Sequence, residues 1–598
     1  VTSASDTYAL LHAFVDELVR SGMRAACTSP GSRSAPLTLT LARESRLRCY
    51  SHVDERCAGF FAVGLAKAGG APVAVTCTSG TAAAELLPAA IEAREARVPL
   101  LLLTADRPPE LRENGAGQAI DQLKLYGSAA KWFFEVGTHE ATPARLRWMR
   151  TLACRAYVTA LEGRPGVVHL NFALREPLVT DEALPQDETA RPDGLPYVLR
   201  APLSPRGSPG GESPDRDTAP LGAVLGKARR GVVVAGREEH LAGRGSAAQA
   251  VAAFAAEASW PLLADPMSGA RRGAGSIAHY DMLLRDTGLS RSLEPDLILR
   301  IGDLPVSKPL RSWLAGLTSV PQVTLDPEGA WQDPASVLSH SFAVDPTVAL
   351  ATLAEEVAPN TERDWLTRWR HGDELAGETI LGVLGAEGLS EPRVALELGV
   401  LLPREATLFV ASSMPVRDVE AFWPVREDPP RVLCNRGANG IDGIVSSAFG
   451  AAAGGGGPVV LLIGDVALAH DIGGLLAARR LGLKLTIVLL DNGGGGIFDF
   501  LPVARNVLAR ESTAENAGDI YTRHIATPTG LDFADAATLY GLEHTRVGDV
   551  SAFRAALEQA LAHDRSTIIE VHGDRAANVG LHAAVEDAVA SALDRPSA

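Results

Sequence analysis

Short apolar runs recur along this chain. Each is closed by Gly, Ser, Asp or Asn and is followed by a stretch whose apolar residues fall at helical spacing. In the first third, LRCYSHV, PVAVTCTSG and VPLLLLTADRP read as strands, CAGFFAVGLAKA and TAAAELLPAAIEARE as helices, and AACTSPGSRSAP as a strand end running into a loop. The middle repeats the pattern with GVVVAGREE, WPLLADP, PDLILRIGD and VPQVTLDP. The last third repeats it again with ATLFVASS, RVLCNRG, VVLLIGD, LTIVLLDN and STIIEVHGD. Such alternation predicts parallel βαβ units. The expected fold is α/β, with three open, mainly parallel-sheet domains.

Breaks in the pattern set the boundaries. A first domain covers 1–180. A linker follows at 181–220, where PLSPRGSPGGESPDRDTAP is rich in Pro, Gly, Ser and Asp. A central domain covers 221–357, and after a second break a last domain covers 366–598. No short-period repeat is present, although the first and last thirds are candidates for distant structural relatives.

Bulk properties narrow the function. A chain of 598 residues is too long for one core. No apolar run approaches the ~18 to 20 residues that span a bilayer, so stable membrane insertion is not expected. The opening VTSASDTYALLHAFVDELVR reads as an amphipathic helix carrying acids, without the basic and uninterrupted apolar regions of a signal peptide. A net charge of −16 argues against broad nucleic-acid binding. Six scattered cysteines with no C-x-x-C fit a reducing cytoplasm.

Candidate chemistry concentrates at 458–502, PVVLLIGDVALAHDIGGLLAARRLGLKLTIVLLDNGGGGIFDFLP. Two strands each end in an oxygen-bearing side chain, Asp465 and then Asn492, 27 positions on. ALAHDIGGLLAARRL reads as the crossover helix that makes the strands parallel, so both residues lie at carboxyl ends, where open sheets bind ligands. A carboxylate and an amide oxygen are hard ligands, suited to Mg²⁺ with diphosphate oxygens completing the shell. The glycines at 493–496 let backbone N–H groups approach a phosphate. Gly-Asp and Asn-Gly are also ordinary turn dipeptides, and that reading stands beside the first. No Walker motif G-x-x-x-x-G-K-[ST] occurs, and RRGAGSIA reads as a loop. Glu55, in SHVDERCAGFFAVGLAKA, follows a strand and opens a helix. An acid there suits the helix dipole without further purpose, and Asp54 reads as a turn or cap residue.

Gly464-Asp465, the gap and Asn492 resemble the metal–diphosphate motif of thiamine-diphosphate enzymes. Val466 replaces a frequent third-position Gly, and Asp491 replaces the first Asn of the usual pair. This resemblance implies pyrimidine-binding, central and diphosphate-binding domains in that order, with thiamine diphosphate and Mg²⁺ (or Mn²⁺) as cofactors. It also implies that Glu55 is the catalytic carboxyl that exchanges a proton with the aminopyrimidine ring. The minimal unit would be a homodimer, or a tetramer built from such dimers, with each site shared between subunits. TSPGSRSAPLTL, HVDERCAGFFAVGLAKA, TSGTAAAELLPAAIEA, LTADRPPELRENGAGQAIDQ, NRGANGIDG and NGGGGIFDFLP together closely resemble the 2-succinyl-5-enolpyruvyl-6-hydroxy-3-cyclohexene-1-carboxylate synthase family of menaquinone biosynthesis. That likeness spans all three domains and is strongest in the first and last thirds.

The family resemblance implies decarboxylation of 2-oxoglutarate and conjugate addition of the succinyl unit to isochorismate. Carried over position by position, it implies substrate contacts at Ser32, Arg33, Arg107, Gln118, Lys308, Ser413, Arg417 and Arg436, with an apolar wall of Ile497, Phe498 and Leu501. Cofactor contacts fall on Glu55, Met414, Gly440, Ile441, Asp465, Asn492 and Gly494, the metal taking Asp465, Asn492 and the Gly494 carbonyl. Both substrates are dicarboxylates, and Arg forks suit carboxylates, although any single Arg is as readily a solvated side chain. Ile441 reads either as the prop that bends the cofactor or as a core residue. Where the family often shows Lys-Arg, VSKPLRSW has Lys308-Pro309, with the arginine displaced to Arg311. Two other readings remain: an acetolactate-synthase-like carboligase or decarboxylase acting on other 2-oxo acids, and a catalytically silent cofactor-binding protein.

Overall fold

The computed structural model describes residues 3–180, 187–200, 215–238, 244–358, 361–504 and 520–594. Among them three sheets form, with every strand pair parallel. The first contains β1 (Ala25–Thr28), β2 (Arg48–Ser51), β3 (Val73–Cys77), β4 (Leu100–Asp106), β5 (Ala130–Glu135) and β6 (Val167–Ala173), in the order β2-β1-β3-β4-β6-β5. The second contains β7 (Gly231–Ala235), β8 (Leu262–Ala264), β9 (Leu297–Ile301), β10 (Gln322–Leu325) and β11 (Leu338–Phe342), in the order β11-β10-β9-β7-β8. The third contains β12 (Thr407–Val410), β13 (Arg431–Cys434), β14 (Val459–Gly464), β15 (Thr486–Asp491), β16 (Glu543–Val547) and β17 (Thr567–His572), in the order β13-β12-β14-β15-β17-β16. Counted within each sheet, the first and third share one strand order, the likeness expected between the first and last thirds. The inner strands β4 and β6 are buried along their whole length, as parallel strands covered on both faces must be.

Two helices expected as continuous are broken. TAAAELLPAAIEARE divides into Thr81–Ala84 and Leu87–Glu95. Pro88 has no N–H to donate and fits only a first turn. ALAHDIGGLLAARRL divides into Asp465–His470, a 3-10 turn at Ile472–Leu475, and Leu476–Leu481. Gly473 and Gly474 are poor helix formers, and the buried Asp471 carboxylate accepts from the Ser446 N–H at 2.7 Å. RRGAGSIA lies in a loop. Of the expected linker 181–220, part lies outside the described residues. Asp187 bonds the buried Arg150 at 2.7 Å, and a helix, Asp215–Leu225, begins inside it. The long helix Trp365–Glu387 puts Trp365 and Trp369 into the core beneath β7 and β9, beside Val232, Val234 and Ile298. No helix among the described residues is long and apolar enough to cross a membrane. All six cysteines are free thiols.

The chain divides into two compact units. One is Val1–Pro202 with Asn435–Gly455 and His470–Leu485; the other is Leu203–Cys434 with Gly456–Ala469 and Thr486–Ala598. Within the first, the helix Glu55–Gly69 meets the helix Ile444–Ala453 at backbone contact. A Cβ on Gly64 would lie 1.8 Å from the Ser447 carbonyl oxygen, and one on Gly450 would lie 2.0 Å from that of Phe61. Ser447 Oγ donates to the Phe60 carbonyl at 3.0 Å. Only glycine permits so close an approach. Gly64→Ala should therefore cost at least about 1–3 kcal/mol, because both helix backbones must move. Gly69→Ala, where nothing lies within 4 Å, should be neutral or slightly stabilising. Thermal melts of the two variants decide; equal Tm values would show that the helices separate freely.

Candidate active site

In the first unit, expected residues gather at the carboxyl edge of the first sheet. β1 and β3 are neighbours across which the strand order reverses, the place where open sheets form a crevice. The loop after β1 lies against the loop after β3, since a Cβ on Gly31 would be 2.2 Å from Thr78. Ser32 is exposed there and Arg33 is buried. Arg33 donates Nη1 to the Leu174 carbonyl at 2.8 Å and Nη2 to Glu176 at 2.9 Å, and its Nε has no partner. Burial lowers the Arg33 pKa, and the charge of Arg107 lowers it further. Arg107 places Nε and Nη2 on the Gly117 carbonyl at 3.1 and 2.7 Å. Gln118, at φ +57°, donates Nε2 to the Ser79 carbonyl at 3.1 Å and accepts from Ser79 Oγ at its own carbonyl at 2.8 Å.

Sequence reasoning missed what holds these loops. Gln122 is wholly buried. Its Oε1 accepts from the Gly80 N–H at 2.9 Å, while Nε2 donates to the Ala105 carbonyl and to Asn171 Oδ1. Asn171 in turn donates to Asp106, which accepts from the Arg107 N–H. Glu55 opens its helix half-buried. Burial raises its pKa, and Asp54 and Glu85 add to the rise. Asp54 is the helix cap, accepting from the Cys57 N–H at 3.2 Å. Arg436, Gly440 and Ile441 are each half-buried in the loop after β13. The core residue nearby is Ile444, not Ile441. Buried Glu92 accepts from the N–H groups of Gly437 and Ala438 at 3.0 and 2.7 Å and so fixes this loop.

In the second unit, Asp465 lies one residue beyond β14 and Asn492 one beyond β15, on adjacent strands in register at Gly464 and Leu490. Asp465 is buried, and its Oδ2 has no partner. Burial, reinforced by the charge of Asp491, pushes its carboxyl up to about 6. Asn492 Oδ1 is also buried without a partner. Gly494 has φ +139°, and a Cβ there would meet the Ala526 carbonyl at 2.6 Å. Its own carbonyl accepts from the Gly496 N–H at 2.9 Å. Two buried orphan oxygens suit a hard cation.

Asp491, Glu570 and His572 also hold ligand atoms within 4.8 Å of one another. There, however, the buried Glu570 carboxylate is already bonded to His544, His572 and Arg546, so Asp465 and Asn492 fit an ion better.

Ser413 opens the helix Met414–Phe422 at φ +74° and ψ −134°, a strained conformation for serine. Met414 is buried; Arg417 is exposed and bonds back to the Ser413 carbonyl. Lys308 is exposed at the start of the helix Lys308–Gly316. Arg311 is spent on the carbonyls of Pro305 and Leu304 at 2.6 and 3.1 Å. Ile497 and Phe498 are half-buried, and Leu501 is exposed. Three buried groups were not foreseen. Glu391 accepts from Asn492 Nδ2 at 2.8 Å, and Asp418 lies 3.0 Å from His582 Nε2. Burial, then Asp418, pushes Glu391 up to about 7. Burial alone would lower the His582 pKa; Asp418 overrides it and holds the ring above its ordinary range.

Comparison with known proteins gives a consistent picture. Residues 9–125 match the thiamine pyrophosphate enzyme N-terminal TPP binding domain, 225–410 the middle domain, and 415–571 the C-terminal TPP binding domain. A 2-succinyl-5-enolpyruvyl-6-hydroxy-3-cyclohexene-1-carboxylate synthase of Geobacillus thermodenitrificans is 43% identical over 579 residues, covering 95% of this chain and 94% of its own. Synthases of the same name from Chloroflexus aurantiacus and Listeria innocua are 40% identical over 589 residues (97% of this chain and 96% of theirs) and 38% over 590 (98% and 97%).

Burial sets how Asp465 responds to pH. Its native carboxyl holds a proton more tightly than the unfolded chain does, so ionisation costs stability as pH rises toward about 6. Without metal, Asp465→Asn should be more stable than the parent at neutral pH, by at most ~3 kcal/mol. The gain should shrink as the pH falls toward 4. Thermal unfolding across that range measures it, and no gain at neutral pH would show that the charge is balanced by other groups.

Proposed function

The chain belongs to the 2-succinyl-5-enolpyruvyl-6-hydroxy-3-cyclohexene-1-carboxylate synthase family of thiamine pyrophosphate enzymes, and we propose that it joins a succinyl unit drawn from 2-oxoglutarate to isochorismate, with thiamine diphosphate and Mg²⁺ or Mn²⁺ as cofactors. The observation that carries the cofactor assignment is the pair of orphan buried oxygens, Asp465 Oδ2 and Asn492 Oδ1, at adjacent strand ends. With the Gly494 carbonyl they make a hard, oxygen-only set that suits Mg²⁺. Once bound, thiamine diphosphate supplies the chemistry of 2-oxo-acid decarboxylation and carbon–carbon bond formation.

The remaining roles fall to the chain's own side chains. Glu55 holds and returns a proton at the aminopyrimidine ring, a task that its raised pKa suits. Met414, Gly440 and Ile441 contact the cofactor. Arg33 and Arg107, with Ser32 and Gln118, bind substrate carboxylate. Glu176, which now occupies an Arg33 fork, has a side chain 72% exposed and turns away into water at little cost. Lys308, Ser413, Arg417 and Arg436 supply further polar contacts, and Ile497, Phe498 and Leu501 an apolar wall. The active unit is a homodimer, or a tetramer built from two such dimers. Sedimentation of cofactor-loaded enzyme tests this, and an active monomer would reject it.

Turnover is tested by incubating the protein with 2-oxoglutarate, isochorismate, thiamine diphosphate and Mg²⁺ and weighing the product by mass spectrometry. Turnover of pyruvate without isochorismate would instead favour the acetolactate-synthase-like reading. Losing one charge-assisted fork costs about 1.5–3 kcal/mol. Arg33→Ala and Arg107→Ala should each therefore lower kcat/KM roughly ten- to hundredfold while cofactor affinity is unchanged. Parental kcat/KM in both would remove them from the site. Glu55→Gln should keep cofactor binding and lose turnover, because an amide does not shuttle the proton.

A further inference from the structure

We propose that Glu391 is a positioning residue, which locks the side-chain amide of Asn492 so that its oxygen, and not its nitrogen, faces the cation. The inference rests on the reading of Asn492 as a metal ligand. An asparagine amide is nearly symmetric in shape, and a half-turn exchanges C=O for NH₂. Packing alone does not choose between the two; hydrogen-bond partners do. An NH₂ group turned toward a cation would repel it.

Glu391 supplies the choice. Its Oε1 accepts from Asn492 Nδ2 at 2.8 Å, while Asn492 Oδ1 is buried with no partner. That Oε1 atom takes the NH₂ end as its donor, which leaves the amide oxygen free. Glu391 is itself fixed. It is 5% exposed and is the first residue of the helix Glu391–Leu401. The slot is tight on the Gly496 side and at ordinary contact on the Gly573 side. A Cβ on Gly496 would lie 2.8 Å from Asn492 Nδ2, and one on Gly573 would lie 3.5 Å from Glu391 Oε1. Such outer partners of metal ligands typically account for ~10- to 100-fold in metal affinity.

Glu391→Gln keeps the shape but adds a donor that can pair with Asn492 Oδ1 and turn the amide around. It should weaken Mg²⁺ binding about tenfold or more, measured by titration calorimetry with thiamine diphosphate present. Glu391→Met, of similar length and with no hydrogen bond to offer, serves as a second variant and should show a loss at least as large. Circular dichroism confirms that each variant is folded. Asn492→Ala should also bind Mg²⁺ weakly, and adding Glu391→Gln to it should cost nothing more. Asn492→Gly replaces it should the alanine variant not fold. Parental Mg²⁺ affinity in the Asn492 variant would overturn the ligand assignment itself. A weakened Asn492 variant beside parental affinity in both Glu391 variants would overturn the positioning role alone. So would an undiminished Glu391→Gln loss in the Asn492→Ala background, since a merely structural effect would add.

Discussion

Parallel pairing is the constraint from which the placement of every candidate residue follows. A parallel strand must be followed by a crossover that returns to the starting end, so all loops that follow strands arrive at one edge of their sheet. In the first sheet Arg33 follows β1, Glu55 follows β2, and Arg107 and Gln118 follow β4. In the second, Lys308 follows β9. In the third, Ser413, Arg436, Asp465 and Asn492 follow β12, β13, β14 and β15 in turn. Residues tens of positions apart become neighbours of an edge because the chain has no other way to order parallel strands. Chemistry is thereby confined to loops, while the strands beneath are free to be apolar.

Crowding polar groups at a buried edge has a cost, and the two six-stranded sheets meet it differently. At the first, Gln122 and Asn171 have both ends of their amides bonded, and the network passes from Gly80 through Gln122 and Asn171 to Asp106 and Arg107. At the third, Asp465 Oδ2 and Asn492 Oδ1 lack hydrogen bonds. A buried group left unbonded typically costs ~1–3 kcal/mol. The first edge is bonded through these amides into a scaffold that aims arginine and glutamine side chains. The third is balanced only when positive charge is added to it.

Much of this was legible in the sequence, and what was not had a physical reason. Strand ends were readable because the signal is local: an apolar run, then one oxygen-bearing residue, as at Asp465 and Asn492. The breaks at Pro88 and at Gly473-Gly474 lay inside helical patterns that outweighed them. The packing of Trp365 and Trp369 on the second sheet was hidden, because an apolar stripe does not say which sheet it will cover. Glu391, Glu92 and Gln122 escaped notice because each acts on a partner far along the chain. Glu391 in particular opens a helix, where an acid needs no further explanation. The commitment of Arg311 to backbone carbonyls is equally invisible, since any exposed arginine reads as free.

The shared strand order of the first and third sheets makes their electrostatic difference informative. The arginines at the first edge are aimed largely by neutral groups: Arg33 by the Leu174 carbonyl and Arg107 by the Gly117 carbonyl. A carbonyl fixes a guanidinium without cancelling its charge, so both arginines keep their attraction for an anion even while held in place. The one carboxylate on Arg33, Glu176, is mostly in water and easily exchanged. At the third edge the pattern is reversed, with Asp465 and Glu391 buried faster than cations are supplied, since His582 already answers to Asp418. A chain that is acidic overall thus builds one topology twice, with arginines held after β1 and β4 of the first sheet and a buried unpartnered acid after β14 of the third. One edge suits an anion and the other a hard cation, and neither preference could be read from the net charge.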